Sequence, residues 1–400
     1  MPALLDTPAH RDALMRDARA QLHFFDRSLR GDGGFDALDH DGMPLPPAPQ
    51  PLHVTTRMVH SYVLGRAIGH PGSERMIDAG LAFLRDHHRD GRWGGYLWSV
   101  GPGGDGTKLA YGHVFVLLAA SSARLIGHPD APALFHEAAD TIDRQFWDAE
   151  AGLLRDEFTR DWRPFSEYRG MNANMHGVEA MLAAFEATGE ARWLDRAGGI
   201  LAFFTDRMAS AHAWRIPEHY RADWTVDPGY AGDPMFRPAG TTPGHSLEFA
   251  RLILHHWDLA GRPDDGAPDR ARMLARRALD DAWLPEGGLA YTLTDEGAVA
   301  IPDRYWWPVT EALGALAALS ELDGTAAWDG WYRRLWTFAQ ALLIDDDHGG
   351  WRPEIGPGGA PASGQFAGKP DIYHSLQAVL YPLAPGLSRP IEGLETLSRD

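Results

Sequence analysis

The sequence predicts an all-α fold in which six helical hairpins close into an (α/α)6 barrel, and three observations carry that prediction. Amphipathic helical patterns alternate with short Gly- and Trp-rich turns from one end of the chain to the other. The alternation recurs six times, with a period of about 55 to 70 residues, which is the mark of a repeat architecture. In each repeat the second helix is apolar on nearly every side, as in 114–123 and 312–319, and a helix of that kind is buried.

Taken in order, the first helix of each pair is expected at 8–29, 73–89, 131–147, 190–210, 268–283 and 325–343. The turns that follow are Gly33-Gly34-Phe35, Gly94-Gly95-Tyr96, Gly152-Leu153, a variant at 214–220, Gly287-Gly288-Leu289 and Gly349-Gly350-Trp351. The second helices are expected at 54–69, 109–127, 172–188, 242–261, 303–322 and 371–382. Stacked helix pairs bury a continuous core. Closure into a ring with the second helices inside is favoured over an open solenoid, because the long connections 211–241 and 344–370 read as loops crossing a mouth. No Gly/Ser-rich linker or composition shift divides the chain, so 1–400 is expected to be a single domain.

With 400 residues, 44% of them apolar and 10% aromatic, the chain can bury a large core. A net charge of −18 argues against nucleic acid and against long-range steering of a strongly anionic substrate. The longest apolar run, around 114–120, is far short of a membrane span. The start, Met1-Pro2-Ala3-Leu4-Leu5-Asp6, lacks a basic and apolar leader, so a cytoplasmic location is expected. With no cysteine there are no disulfides, thiolate metal sites or cysteine nucleophiles. Lys108 and Lys369 are the only lysines, each just ahead of a second helix.

If the second helices line a barrel, their N-terminal turns open on one mouth, and all six carry polar residues there. They are Thr55-Thr56-Arg57, Tyr111 with His113, Asn172 with Asn174 and His176, Thr241 to His245 with Glu248, Tyr305 to Pro308 with Glu311, and Asp371 to His374. Asn172 and Asn174 are the only asparagines in the chain. Thr241, Thr242, Asn172 and Asp371 suit N-caps, and Pro243 and Pro308 suit a first helical turn. One histidine near a helix start is ordinarily a structural hydrogen-bonder, but three of them, on three inner helices, point to a pocket. Glu248 shares a helix face with His245 and is expected to fix its tautomer. The Trp306-Trp307 pair offers a ring for a sugar face.

Other candidates are weaker. Asp345-Asp346-Asp347 reads as a solvated loop. His87-His88 and His255-His256 are adjacent pairs, which diverge on a helix and cannot chelate as an i, i+4 pair does. The glycines at 101–104 lack the strand–helix context of a phosphate loop, and there is no Gly-x-Ser-x-Gly elbow. A metal-free pocket of imidazoles, Arg, Glu, Asn, Tyr and Trp suits proton transfer on a neutral polyol. A helix N-terminus disfavours imidazolium and favours an enediolate beside it. The chemistry indicated is removal of a proton alpha to a carbonyl, with its return at the same or the neighbouring carbon.

Four strings carry a resemblance: Glu167-Tyr168-Arg169-Gly170-Met171-Asn172-Ala173-Asn174-Met175-His176, Thr242-Pro243-Gly244-His245 with Glu248, the run 304–311, and Lys369-Pro370-Asp371-Ile372-Tyr373-His374. They resemble the N-acylglucosamine 2-epimerase superfamily, over nearly the full chain and in register with the six repeats. The nearest branch is that of the bacterial mannose and sulfoquinovose isomerases. The resemblance implies an (α/α)6 barrel and a cofactor-free aldose–ketose isomerisation of a monosaccharide, mannose to fructose, through a cis-enediol(ate). It implies His374 as the base at C2 and His245 as the group for ring opening and proton delivery at C1. Arg57, Tyr111, Asn172, His176, Arg237, Glu248, Trp307 and Glu311 would hold the sugar or orient the histidines. His53 and Pro370 stand where the sulfoquinovose pattern has Trp and Gln, which favours an unmodified hexose. The rivals are a sugar 2-epimerase or sulfoquinovose isomerase on this scaffold, a glycoside hydrolase with Glu248 and Glu311 as its opposed carboxylates, and a sugar-binding helical repeat without chemistry.

Overall fold

The computed structural model of the chain describes residues 2–230, 232–233 and 237–398. The outer helices are α1 (Pro8–Phe25), α3 (Ser73–Phe83), α5 (Ala131–Thr141), α7 (Ala191–Leu201), α9 (Ala267–Ala282) and α11 (Asp329–Phe338). The inner helices are α2 (Leu52–Ala67), α4 (Ala110–Leu125), α6 (Met171–Thr188), α8 (Pro243–Leu259), α10 (Trp306–Asp323) and α12 (Tyr373–Leu380). The two sets differ as their patterns require. α7 buries Trp193, Ala197, Ile200 and Leu201 along one stripe, whereas α10 buries every residue from Trp306 to Leu316. Four outer helices widen into π-helical turns at their ends, at Leu84–His88, Ile142–Phe146, Ala202–Ala209 and Ala339–Leu343.

The inner helices pack in the cyclic order α2, α4, α6, α8, α10, α12, and α12 returns to α2, so the ring is closed. This is the (α/α)6 barrel. The pairing within hairpins differs from the expectation. Each of the first five inner helices packs closely on the outer helix that follows it, across a short turn such as 68–72, and α12 packs on α1, while the aromatic–glycine turns open longer connections. One buried apolar cluster extends from Leu14 on α1 to Leu394. That last residue lies on α13 (Pro390–Leu397), a helix the repeat pattern did not foresee, which packs against α2. Among the described residues no helix is long and apolar enough to cross a membrane.

A ring of very short antiparallel pairings surrounds the mouth. The residues just ahead of an inner helix pair with the connection that leaves the next outer helix: Gln50–Pro51 with Ser99–Val100, Lys108–Leu109 with Glu157–Phe158, Arg169–Gly170 with His219–Tyr220, and Arg304–Tyr305 with Glu354–Ile355. Single bridges Thr241–Leu293 and Lys369–Leu38 complete the circuit, the second tying the end of the chain to its beginning. The same connections satisfy the first amide of four inner helices, because Leu52, Ala110, Met171 and Trp306 donate to the carbonyls of Trp98, Asp156, Glu218 and Pro353. Side-chain caps are correspondingly scarce. Asn172 lies inside the first turn of α6, and neither Thr241 nor Thr242 caps α8 with its hydroxyl. Asp371 lies one residue ahead of the N-cap Ile372, and its side chain accepts from the Tyr373 amide at 3.0 Å.

Both lysines are rim clamps. Lys108 donates to Asp90 (3.0 Å) and to the Gly94 carbonyl (2.8 Å), and Lys369 donates to Asp345 (2.8 Å) and to the Gly349 carbonyl (2.6 Å). Each therefore locks a Gly–Gly turn beneath its own inner helix. The expected solvated loop is corrected here, since Asp345 is buried by its Lys369 and Arg352 partners and only Asp346 and Asp347 face solvent.

Candidate active site

Because every inner helix starts at the same mouth, its first two turns line one cleft. Fifteen residues bound it, His53, Arg57, Tyr111, Asn172, His176, His245, Glu248, Trp307, Asp371 and His374 among them, around about 690 Å³ of space that includes the open solvent at its mouth. His245 and His374 stand in the first turns of α8 and α12, and His176 lies one turn deeper on α6. The three imidazoles that sequence places on separate repeats thus share one pocket.

Two of them have a carboxylate on Nδ1. His374 Nδ1 lies 2.7 Å from Glu311 Oε1, and His245 Nδ1 lies 3.0 Å from both oxygens of Glu218. In each case Nε2 is the nitrogen not engaged by the carboxylate. The Trp307 indole is shared between them, its centroid 5.0 Å from the His245 ring and 5.9 Å from the His374 ring. Gly244 makes room for it, since a Cβ there would stand 2.5 Å from Trp307 Cζ3 and 3.1 Å from Pro308 Cα. Burial, and after it the Arg57 charge, push the His374 imidazole down to about 3, so it waits in its neutral, basic form.

Beneath the histidines lies a layer of buried charge. Glu248 contacts His176 Nδ1 at 3.5 Å rather than His245, so the expected Glu248–His245 pairing is corrected: Glu218 takes that place. Glu248 is fully buried and neither of its oxygens accepts a hydrogen bond. Burial, reinforced by Glu311 and Glu179, holds its carboxyl well above the usual carboxylate range. Burial likewise pushes Glu311 up to about 7 despite the Arg251 charge. Against that same desolvation, His176 and Arg251 keep Glu179 well below its usual range. Arg251 stands 3.6 to 3.9 Å from Glu179, Glu248 and Glu311 and supplies the layer's positive charge. His176, Glu179 and Glu248 offer ligand atoms within 4.8 Å of one another, a spacing that would admit a metal ion, although Arg251 already occupies the electrostatic role.

The cleft wall is polar on one side. Arg57 donates from Nη2 to Tyr111 Oη (2.8 Å) and from Nη1 to Asp371 Oδ2 (3.2 Å), with its guanidinium 4.6 Å from the Phe115 centroid. Asn172 Oδ1 is buried without a hydrogen-bond partner. Phe366 and Pro370 add an apolar edge to the lining. His53 stacks on Trp98 at 5.0 Å and extends an aromatic wall toward Tyr111.

Not every expected residue belongs here. Arg237 lines a neighbouring cleft that shares Tyr111 and Asn172 with the first, where it pairs with Glu157 at 2.7 Å and covers the Tyr168 ring at 4.0 Å. Glu311 stands behind His374 and not on the cleft surface. His113 is structural, accepting the Tyr96 amide on Nε2 at 3.0 Å and meeting the Leu109 carbonyl through Nδ1. Asn174 clamps both backbone groups of Leu154. Residues 231 and 234–236 of the 211–241 connection lie outside the described residues. Glu218 was missed, and its signal was positional. By hydrogen bonding it is the repeat equivalent of Trp98 and Asp156, whose carbonyls meet the first amide of an inner helix at the mouth.

A closed (α/α)6 barrel with two histidine–carboxylate pairs in one mouth is the framework of an acid–base site for a small polyol. Comparison with known proteins gives that class a family. The sequence profile of the N-acylglucosamine 2-epimerase (GlcNAc 2-epimerase) family matches residues 33–378, and the chain belongs to this family. A D-mannose isomerase from Thermobifida fusca is 39% identical, with 95% of this chain and 96% of that one aligned. A D-mannose isomerase from Pseudomonas cannabina pv. alisalensis is 37% identical, with 98% and 97% aligned. A crystal structure of D-mannose isomerase superposes with a TM-score of 0.87 at 30% identity, covering 94% of this chain and 99% of that one.

Proposed function

We propose that the protein interconverts D-mannose and D-fructose by acid–base catalysis. The observation that carries this reading is the pair of histidines, each with a carboxylate on Nδ1, that open onto one cleft beside Trp307. His245 opens the sugar ring. In the open chain His374 removes the C2 proton, and the cis-enediol(ate) spreads its charge over O1 and O2. His374 passes the proton it took from C2 to O1; His245 Nε2 takes the O2 proton and delivers it to C1 as C2=O forms, so both imidazoles end the cycle as they began. Arg57, Tyr111, Asn172, His176, Glu248 and Trp307 hold the hydroxyls and the sugar face, and Glu311 supports His374. Arg237, committed to Glu157 in the adjoining cleft, stands at the edge of this set.

The apolar Phe366–Pro370 edge favours a neutral hexose over one bearing an anionic tail. Residues 1–400 work as a single catalytic domain, a reading supported by the continuous core. A cytoplasmic location belongs to the same proposal. A hydrolase reading finds less support, because Glu248 and Glu311 share the Arg251 guanidinium in one buried layer and do not face each other across the cleft.

The test is mannose in deuterated water followed by NMR. Fructose carrying deuterium at C1 is expected. Glucose labelled at C2 would make the enzyme a 2-epimerase, and no exchange with any hexose would make it a binder. His374→Ala should abolish label incorporation while the thermal midpoint stays near that of the parent.

A further inference from the structure

Glu218 lies some distance along the chain from every residue of the catalytic cleft, yet its carboxylate is among the most firmly placed groups near it. Its own carbonyl accepts the Met171 amide at 3.0 Å, at the start of α6. The next two residues, His219–Tyr220, pair with Arg169–Gly170, and His219 also meets the Pro238 carbonyl at 2.7 Å. The side chain, 5% exposed, then crosses to α8, where Oε1 accepts the Thr242 amide at 3.1 Å and both oxygens approach His245 Nδ1 at 3.0 Å. A carboxylate at a helix N-terminus is also where the backbone dipoles favour negative charge. Glu218 is therefore held by two separate elements, and it cannot leave His245 without also uncapping α8.

We propose that Glu218 is a positioning residue for the reaction: it fixes His245 as the Nδ1–H tautomer and so aims a bare Nε2 into the cleft. The inference rests on the reading of His245 as an acid–base group. The geometry leaves few alternatives. With Nδ1–H donated to Glu218, Nε2 is the nitrogen left to meet a sugar oxygen or carbon. Glu248, on the same helix, is turned to His176 and does not compete. Trp307, lodged against Gly244, limits rotation of the imidazole from its face. When His245 carries a proton during turnover, the facing carboxylate stabilises the imidazolium, which is the part a buried acid plays behind a catalytic histidine in general.

The first measurement needs no variant: ¹⁵N NMR of the histidine-labelled enzyme, with the His245 resonances assigned through His245→Gln. The Nδ1–H, bare-Nε2 signature is expected, and an Nε2–H signature at His245 overturns the proposal. Glu218→Gln, nearly isosteric, should then lower kcat by roughly 10- to 100-fold, as loss of an orienting partner does elsewhere. Its KM should stay within about threefold, because a tautomer error acts on proton transfer and not on ground-state binding. The His245 signature should shift in that variant as well. A Glu218→Gln enzyme with parental kcat and tautomer, and only a lower thermal midpoint, would reduce Glu218 to a helix cap and sink the inference. His245→Ala separates the two failures. If it retains turnover, the reading of the site is wrong; if it is dead while Glu218→Gln is fully active, only the positioning role is wrong.

Discussion

Glu311→Gln isolates the electrostatic part of the His374 pair. The amide has almost the carboxylate's shape and still offers Nδ1–H an oxygen, so the 2.7 Å contact and the ring orientation can survive. What disappears is the negative charge facing the imidazole as it becomes imidazolium. Unit charges about 4 Å apart interact by about 4 kcal/mol at an effective dielectric near 20. The charge centres of this contact are close to that separation, and the imidazolium is only partly developed in the transition state. A loss of roughly 2 to 4 kcal/mol therefore corresponds to roughly a 30- to 1000-fold fall in kcat. The interaction is stronger in the transition state than with bound substrate, so KM should hardly move. The assay is initial-rate mannose conversion over a range of concentrations, with a thermal melt on the same preparation. A Glu311→Gln enzyme that keeps more than about a tenth of the parental kcat, with an unchanged melt, would refute the argument that this carboxylate assists the base.

Gly244→Ala should lower kcat by roughly 10- to 100-fold with a modest effect on folding, because its Cβ would displace Trp307 from between the two histidines; kinetics and tryptophan fluorescence would report both parts. Lys108→Met strands Asp90, whose side chain is fully buried, and should cost about 3 kcal/mol in urea unfolding, the low end for a broken buried pair, because Arg160 still reaches Asp90 at 2.9 Å. Adding Asp90→Asn to that variant should recover part of the loss. Stability should also fall as pH drops from about 6.5 toward 4.5. Burial above all pushes His10, His60, His88 and His176 to about 4 and His113 and His374 to about 3, so over that window the unfolded chain takes up protons the folded one refuses. Asp17, raised to about 6, Asp156 and Glu311, raised to about 7, and Glu248, held well above the carboxylate range, oppose the trend but are fewer. A thermal midpoint that rises on acidification across this range would contradict that balance.

Helix periodicity is a local signal, and it was legible. The boundaries of α4, α6 and α8 fall within two residues of the pattern, because an inner helix must be apolar all round and ends where its polar first turn meets the mouth. The polar residues at those first turns gave most of the cleft for the same reason. What escaped was set by partners far along the chain. Two-residue strands are too short to show a period, so the ring of pairings around the mouth left no trace in the pattern. Asp345 looked solvated because it sits in a turn beside Gly349, and only the fold reveals that Lys369 comes down on it. Arg237 sits on the right loop but is claimed by Glu157, a partner 80 residues earlier.

The Glu248 and Glu218 exchange shows where the limit lies. At i+3 from His245 on one helix, Glu248 satisfies every local rule for an orienting carboxylate. Yet α8 is an inner helix, and the direction from His245 to Glu248 runs down the barrel axis, toward His176 and Arg251, where a carboxylate is needed to balance a buried guanidinium. The rim side of His245 is reached by the connection that leaves the preceding outer helix, and that is where Glu218 stands. An imidazole in the first turn of an inner helix in this closed barrel is therefore oriented from an adjacent element more readily than along its own helix. His374 obeys the same rule, since its carboxylate, Glu311, comes from the neighbouring α10 and not from α12. Both pairs consequently depend on how adjacent elements of the ring seat against each other, and a lesion that opens the Lys369–Leu38 bridge, five residues ahead of His374, should disturb the His374 pair and impair turnover before it melts the helices.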